Sequence, residues 1–292
     1  MNSNVLITGV SSGFGTLIAR SLLAAGHTVV GSLRDADGRN QSIAATLRSE
    51  GLHIVEIDVC STESVEAGVA AAQKAVGHID VLINNAGMGV MGWQDAFTDA
   101  DFQRLFDVNV FGVQRMSRAV LPPMKARGSG TLIQISSLLG QIVSPFMGPY
   151  NAPKHAVEAL SENYRVELSR FGVESLIVQP GAFGTAFHER TLQPADTERV
   201  ARYGADAENP QRQMAGFEQR LSGEGAPDPQ SVADAIVGLL AQNPGERPFR
   251  TIVDGLGMGP AVQQINETSE SMLRTIYGNM GMDGLLKLKS PS

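Results

Sequence analysis

Tyr150 and Lys154 stand four residues apart in the stretch PYNAPK, a spacing that puts both on one face of a helix. A phenol with its ordinary pKa of about 10 is a poor acid–base catalyst near neutrality. A neighbouring ammonium favours the phenolate and so brings proton transfer within reach. Pro153 sits between them and marks a helix start near 149–151, because the first N–H groups of a helix have no intrahelical partner and a proline there forfeits no bond. Tyr150 then lies at the positive end of the helix dipole, which also favours its ionised form. Ala152 pulls the other way, since a residue before proline disfavours the helical region.

A second stretch, TGVSSGFG, carries Gly9, Gly13 and Gly15 directly after the apolar run NVLIT. Glycines here permit a tight turn and let a pyrophosphate approach backbone N–H groups at a helix start. Three glycines in such a turn say little alone, but their place between a first strand and an apolar helix points to dinucleotide binding. The spacing is Gly-x-x-x-Gly-x-Gly rather than the commoner Gly-x-Gly-x-x-Gly. The five histidines never fall at metal-ligand spacing, so no metal site is expected.

These residues need a scaffold. Strand-like apolar runs at 4–8, 27–33, 53–59, 80–84, 130–136, 173–179 and 249–254 alternate with helical segments at 14–25, 39–50, 62–77, 100–126, 150–170 and 230–242. Several runs are apolar on both faces, as strands covered on two sides must be. The alternation predicts an α/β fold: one Rossmann-type doubly wound domain, with a seven-stranded, mostly parallel sheet and helices on both faces. Ligands in such sheets bind beyond the carboxyl ends of the strands. The domain is expected to span 1–254. Within it, the polar, Gly- and Pro-rich segment 184–228 is expected to be a substrate lid, with Phe187, Met214 and Phe217 meeting substrate. Residues 255–292 carry an apolar stripe at helical spacing and form a C-terminal helical extension, packed on the body or on a partner subunit.

Hydrophobic residues make up 42% of the 292, enough for a sizeable core. A net charge of −7 argues against a nucleic-acid or anionic-membrane partner. The lone Cys60 suits a reducing compartment. The N-terminus has no signal-peptide pattern, and no run of about 18 apolar residues occurs. The expectation is a cytoplasmic protein with no membrane partner.

Five motifs arrive in one order: the glycine turn, NNAG at 84–87, SS at 136–137, YNAPK at 150–154 and PGAFGT at 180–185. Together, from about residue 3 to 254, they resemble the short-chain dehydrogenase/reductase family in its core form, and within it the 17β-hydroxysteroid dehydrogenase-like and ketoreductase members. The resemblance implies an oxidoreductase interconverting a ketone or aldehyde and its alcohol, with Tyr150 as proton donor and Lys154 beside it. It also implies Ser137 as the hydroxyl on the substrate oxygen, 13 residues before the tyrosine, with Ser136 the rival. Asn109 matches the asparagine that helps hold water near the lysine. For the cofactor it implies the turn residues Gly9, Ser11, Ser12, Gly13, Phe14 and Gly15. Asp58 and Val59, then Asn85, Ala86 and Gly87, fall on the adenosine side. Pro180, Gly181, Phe183 and Thr185 fall on the nicotinamide side, with Tyr150 and Lys154 at the ribose. Proline replaces the family's usual serine at 153, and Phe183 stands where a branched aliphatic is usual. Dimers or tetramers are implied through the helices at 100–126 and 150–170.

The second strand ends GSLRD, with Leu33 where NAD-dependent members carry an acid and Arg34 next. A guanidinium suits a 2′-phosphate, so NADP(H) is expected over NAD(H), with Arg39 assisting; the alternative is that Asp35 takes the ribose. Apolar residues flank the centre: Met91 and Trp93, then Leu138, Leu139 and Val143, then Phe146 and Phe187. As a set they predict a bulky hydrophobic or aryl carbonyl or alcohol as substrate. A non-catalytic nucleotide sensor on the same fold is the alternative of a different class, and such a chain is expected to lose Tyr150 or Lys154.

Overall fold

The β-branched, two-sided apolar runs become the centre of the molecule. In the computed structural model, which describes residues 2–187 and 191–289, seven strands are formed. They are β1 (Asn4–Thr8), β2 (Thr28–Leu33), β3 (His53–Glu56), β4 (Val81–Asn84), β5 (Gly130–Ile135), β6 (Val173–Pro180) and β7 (Arg250–Val253). They make one sheet in the order β3-β2-β1-β4-β5-β6-β7. Every pairing is parallel, so the expected mostly parallel sheet is parallel throughout. The reason is that each crossover contains at least one helix, which returns the chain to the same edge before the next strand.

Neighbouring residues on a strand face opposite layers, and the two cores show it. Ile7 packs with Ile18 and Leu22 of α1 (Gly13–Ala24), Leu47 of α2 (Gln41–Ser49) and Ile236 of α9 (Gln230–Ala241). Leu6 packs on the other face with Val65 of α3 (Thr62–Val76) and Met116 of α5 (Gly112–Arg127). At about 25 cal/mol per Å² of apolar area buried, these two layers dominate the stability of the fold. Strand order reverses between β1 and β4, and the carboxyl ends at this switch point carry the glycine turn and Asn85–Gly87. A ligand crevice is expected there on topological grounds.

Three expected elements differ. The helix expected over 100–126 is α4 (Asp99–Phe106), a π turn over 107–111, and then α5. Asn109 lies in the π turn, where an inserted residue widens the helix and re-aims its side chain. The helix expected to start near 149–151 is α6 (Gly148–Leu168). Pro153 is therefore its sixth residue and has no N–H to offer the carbonyl of Pro149, so it does cost one helical bond. The segment 184–228 contains α7 (Thr197–Ala201) and α8 (Asn209–Ser222).

Of the tail, α10 (Gly259–Asn279) lies against the body. Its Glu270 pairs with Arg165 of α6 at 2.6 Å, and Asn266 hydrogen-bonds Gln179 of β6 at 2.7 Å. Residues 188–190 of the expected lid and 290–292 of the expected extension lie outside the described residues. Among the described residues no helix is long and apolar enough to cross a membrane.

Candidate active site

A cleft of about 810 Å³ runs along the carboxyl ends of the strands, from Arg34 and Arg39 at one end to Val143 and Met258 at the other. Gly9 and Gly13 adopt φ of 76° and 57°, the left-handed region that glycine enters without penalty. A Cβ at Gly9 would press to 3.0 Å from the Ala86 backbone, so this glycine also sets how closely the ends of β1 and β4 meet. Asn85 completes that joint: its Nδ2 donates to the carbonyls of Thr8 and Gly9 at 2.8 and 3.2 Å. Gly15 does not line the cleft. A Cβ there would overlap the Gly9 carbonyl oxygen and come within 2.6 Å of Asn85 Nδ2, so its role is to let α1 sit on the turn. The first turn of α1 carries no acidic residue, leaving its N–H groups and positive dipole end to an anion.

Near the β3 end of the cleft, Asp58 Oδ1 accepts from the Cys60 N–H at 3.0 Å, and Arg115 donates to the Val59 carbonyl. Arg34 is exposed beyond β2 and has no carboxylate partner among the described residues. Asp35 does not line the cleft. At φ 52° it accepts from the Arg39 N–H at 3.2 Å and faces the Arg39 guanidinium at 3.6 Å. The end of β2 therefore presents guanidinium groups to the cleft, not a carboxylate.

Farther along the cleft, Tyr150 and Lys154 are both buried in its wall. The Ser137 side chain lies close enough to the phenol to oppose the rise in its pKa. Ser137 Oγ also accepts from the Leu139 N–H at 3.1 Å and approaches the Pro180 carbonyl at 3.4 Å. Ser136 turns its hydroxyl toward Gly140 instead, without a hydrogen-bond partner, so the serine facing the phenol is Ser137. Lys154 Nζ donates to the Ile135 carbonyl at 2.7 Å and lies 5.6 Å from the centre of the Tyr150 ring.

This corrects the expected electrostatics. Burial raises the Tyr150 phenol well above its usual range, and the nearby Ser137 side chain lowers it only in part. Burial likewise pushes Lys154 down to about 8, opposed by the charge of Glu158. The ammonium is spent on a backbone carbonyl rather than aimed at the phenol oxygen, so desolvation outweighs both it and the helix dipole.

Asn109 closes a pair of bonds with Met88, accepting from its N–H at 3.0 Å and donating to its carbonyl at 2.9 Å. It fixes the loop after β4 rather than lining the cleft. Beyond β6, the chain folds back over the glycine turn. Phe183 meets the Phe14 ring edge-on at 5.6 Å, and the Thr185 side chain stands opposite Gly13. Gly181 donates its N–H to the Val253 carbonyl at 2.8 Å.

The far half of the cleft is apolar. Met91, Leu138, Leu139, Val143 and Phe187 all line it, as do Met214 and Phe217 from α8. Phe187 meets Tyr150 edge-on at 5.8 Å. Trp93 and Phe146 stand outside it: Trp93 stacks on Tyr203 at 3.9 Å and meets Phe146 edge-on at 4.8 Å, so both support the 191–206 segment instead. Sequence reasoning missed Met147 and Met258, which also line the cleft. Met258 follows a Gly-Leu-Gly run after β7, and only the return of that loop over the cleft reveals it. The one charged residue among those lining this half is Lys154.

A glycine turn at a sheet switch point, sharing one cleft with a Tyr–Lys–Ser cluster, defines a dinucleotide-dependent oxidoreductase of alcohols and carbonyls. The chain belongs to the short-chain dehydrogenase/reductase family, whose short chain dehydrogenase model matches residues 3–195. It is 35% identical over 270 residues to a 3-ketodihydrosphingosine reductase of Bacteroides thetaiotaomicron, covering 92% of each chain. It is 35% identical over 257 residues to human 17-beta-hydroxysteroid dehydrogenase type 1, covering 85% of this chain and 77% of the relative. A crystal structure of a short-chain dehydrogenase from Streptomyces avermitilis superposes with a TM-score of 0.74 at 29% identity, over 96% of this chain and 98% of that one. Solved relatives include complexes with NADP and with NAD.

Proposed function

We propose that this chain is an NADP(H)-dependent reductase of bulky, uncharged hydrophobic ketones or aldehydes. The observation that carries the reading is the polarity of one cleft: guanidinium groups at the β2 end and apolar side chains around Tyr150 at the other. The residues present fit a dinucleotide. The turn brings Gly9 and Gly13 to the cleft wall with no side chain in the way, α1 offers unpartnered N–H groups, and Arg34 offers donors for a 2′-phosphate.

When bound, the nicotinamide supplies the hydride. Ser137 donates to the carbonyl oxygen and fixes its place. Tyr150 delivers the proton from its phenol oxygen to that same oxygen as negative charge develops there. Lys154, held by the Ile135 carbonyl beside the Tyr150 ring, keeps positive charge in the cleft wall and would be the residue to hold the ribose hydroxyls of a bound dinucleotide. Asn109 keeps the loop after β4 in register with α4 and the π turn. Phe187, Met214 and Phe217 exclude water from the reacting atoms. The relatives named for 3-ketodihydrosphingosine and 17-beta-hydroxysteroid support an apolar substrate.

The test is a panel of carbonyls followed by NADPH absorbance. Turnover of hydrophobic ketones is expected; a preference for sugars or carboxylates, or no turnover at all, would overturn the reading. Arg34→Ala is expected to raise the KM for NADPH about tenfold or more, the equivalent of a charge-assisted hydrogen bond of about 1.5–3 kcal/mol, and to leave that for NADH unchanged. A wild type already favouring NADH in kcat/KM contradicts this role.

The 184–228 segment is read as the substrate cover, since α8 brings Met214 and Phe217 to the cleft and Gln213 Nε2 donates to the Pro145 carbonyl at 3.0 Å. Truncating Met214 and Phe217 together to alanine is expected to raise the KM for the ketone by roughly tenfold or more, from lost apolar contact. Cofactor affinity measured by fluorescence titration is expected to hold steady. Equal losses in both would show that α8 serves the fold and not the substrate.

A further inference from the structure

Glu158 is one helical turn beyond Lys154 on α6, 4% exposed, and plays no part in the chemistry above. Its surroundings are unusually complete. Arg250 Nε of β7 donates to Oε2 at 2.9 Å, Gln141 Nε2 to the same oxygen at 3.2 Å, and Gln179 Nε2 to Oε1 at 3.0 Å. All three partners are donors, so the carboxylate only accepts, as its ionised form does. Gln179 is held in turn by Asn266 Nδ2 of α10 at 2.7 Å. A Cβ at Gly140 would fall 2.9 Å from Glu158 Cγ and 3.2 Å from the Lys154 carbonyl oxygen, so glycine there lets the turn after Ser137 close onto this carboxylate.

Each bond leads to a part of the site. Gln141 follows the turn that carries Ser137, Gln179 immediately precedes Pro180 and Gly181, and Asn266 belongs to the C-terminal helix, outside the span matched by the family model. We propose that Glu158 is a positioning residue: its buried carboxylate supplies the negative charge that keeps Lys154 protonated in the cleft, and it ties α6, the Ser137 turn, the end of β6 and α10 into one rigid unit. The inference rests on the role given to Lys154 in the proposed function.

The charged and titratable groups facing Lys154 are Tyr150, its ring centre 5.6 Å away, and Glu158, both of its own helix; β5 contributes the Ile135 carbonyl. Those facing Glu158 are Lys154 and Glu162 of α6 and Arg250 of β7. Asp107 in the π turn is engaged with Arg115 at 2.7 Å. Arg250 also holds Glu162 at 2.5 Å, which makes Glu162 a built-in control: same arginine, one turn farther from the lysine.

The experiment is a pH titration of lysine labelled with carbon-13 at Cε, read by NMR on the whole chain. With five lysines in the sequence, the Lys154 signal is assigned by comparison with Lys154→Arg. In the wild type the midpoint is expected at the displaced value of about 8. Glu158→Gln removes the charge and keeps the shape, and is expected to lower the midpoint by roughly one pH unit. The high-pH limb of kcat/KM should move down with it. Glu158→Asp, with its charge retained, is expected to restore most of both, and Glu162→Gln to leave both in place. An unmoved midpoint in folded Glu158→Gln overturns the proposal. So does failure of both Glu158 variants to fold, which assigns the residue to stability alone. A chain that reduces no carbonyl yet shows the midpoint shift supports this inference while sinking the proposed function.

Discussion

Tyr150→Phe is expected to cut kcat by roughly 10²–10⁴-fold, the usual worth of a positioned general acid, while leaving NADPH affinity within a few-fold. The substitution deletes one oxygen. The ring keeps its place, because it meets Phe187 edge-on and belongs to one apolar cluster with Val90, Met91 and Leu105. Ser137 keeps its bond from the Leu139 N–H, so the turn around it does not depend on the phenol. What disappears is the proton donor, in a site where water has little access to replace it. The measurement is kcat from steady-state NADPH absorbance, with cofactor affinity from fluorescence quenching. Retention of more than about a tenth of wild-type kcat, a loss under about 1.4 kcal/mol, would falsify the assigned role.

Gly15→Ala is expected to destabilise the fold by about 3 kcal/mol or more, the upper range for forcing atoms into a packed interior. The added methyl would overlap the Gly9 carbonyl oxygen and crowd Asn85 Nδ2. The first is backbone and cannot rotate away, and the second is already committed to Thr8 and Gly9. Relief requires lifting α1 off the turn, which opens the layer built by Ile18 and Leu22. For a chain of this size each kcal/mol lowers Tm by about 2 °C, so thermal melting followed by circular dichroism reads the effect. Gly238→Ala is the matched control: it lies in α9, where an added Cβ meets nothing within 4 Å. There the melt is expected to hold or rise, since alanine is favoured over glycine in helices by about 1 kcal/mol. Equal melts for the two variants would show that the third glycine is not a packing requirement.

Much of the architecture is legible in the chain because its signals are local. Seven apolar runs, several of them two-sided, the alternation with helical segments and the motif order identify the sheet and the family. The strands observed begin and end within three residues of those expected, β3 being the most shortened, since Asp58 and Val59 lie past its end. The site is legible to the same degree where its residues are neighbours in sequence: the glycine turn, Tyr150 with Lys154, and the segment after β6. Met258, Gln179 and Asn266 carry no such local mark. They reach the site through strand order and through the return of the chain after β7, and pairings between distant residues leave no periodicity to read.

The amino-acid sequence by itself determined the class of fold, the place of the glycine turn and the pairing of Tyr150 with Lys154 on one helix face, because each depends on residue type and short-range spacing. Tertiary structure decided which side chains share a wall. It moved Trp93 out of the cleft onto the Tyr203 ring, with Phe146 edge-on against Trp93, and placed Pro153 in the second turn of α6 rather than the first. It also reversed the balance at Tyr150. Helical spacing promised an ammonium that lowers the phenol, whereas folding buries both groups and hands the ammonium to the Ile135 carbonyl. Desolvation is a property of the whole cleft wall, made by the loop after β4 together with β5, β6 and α6, and no stretch of sequence contains it.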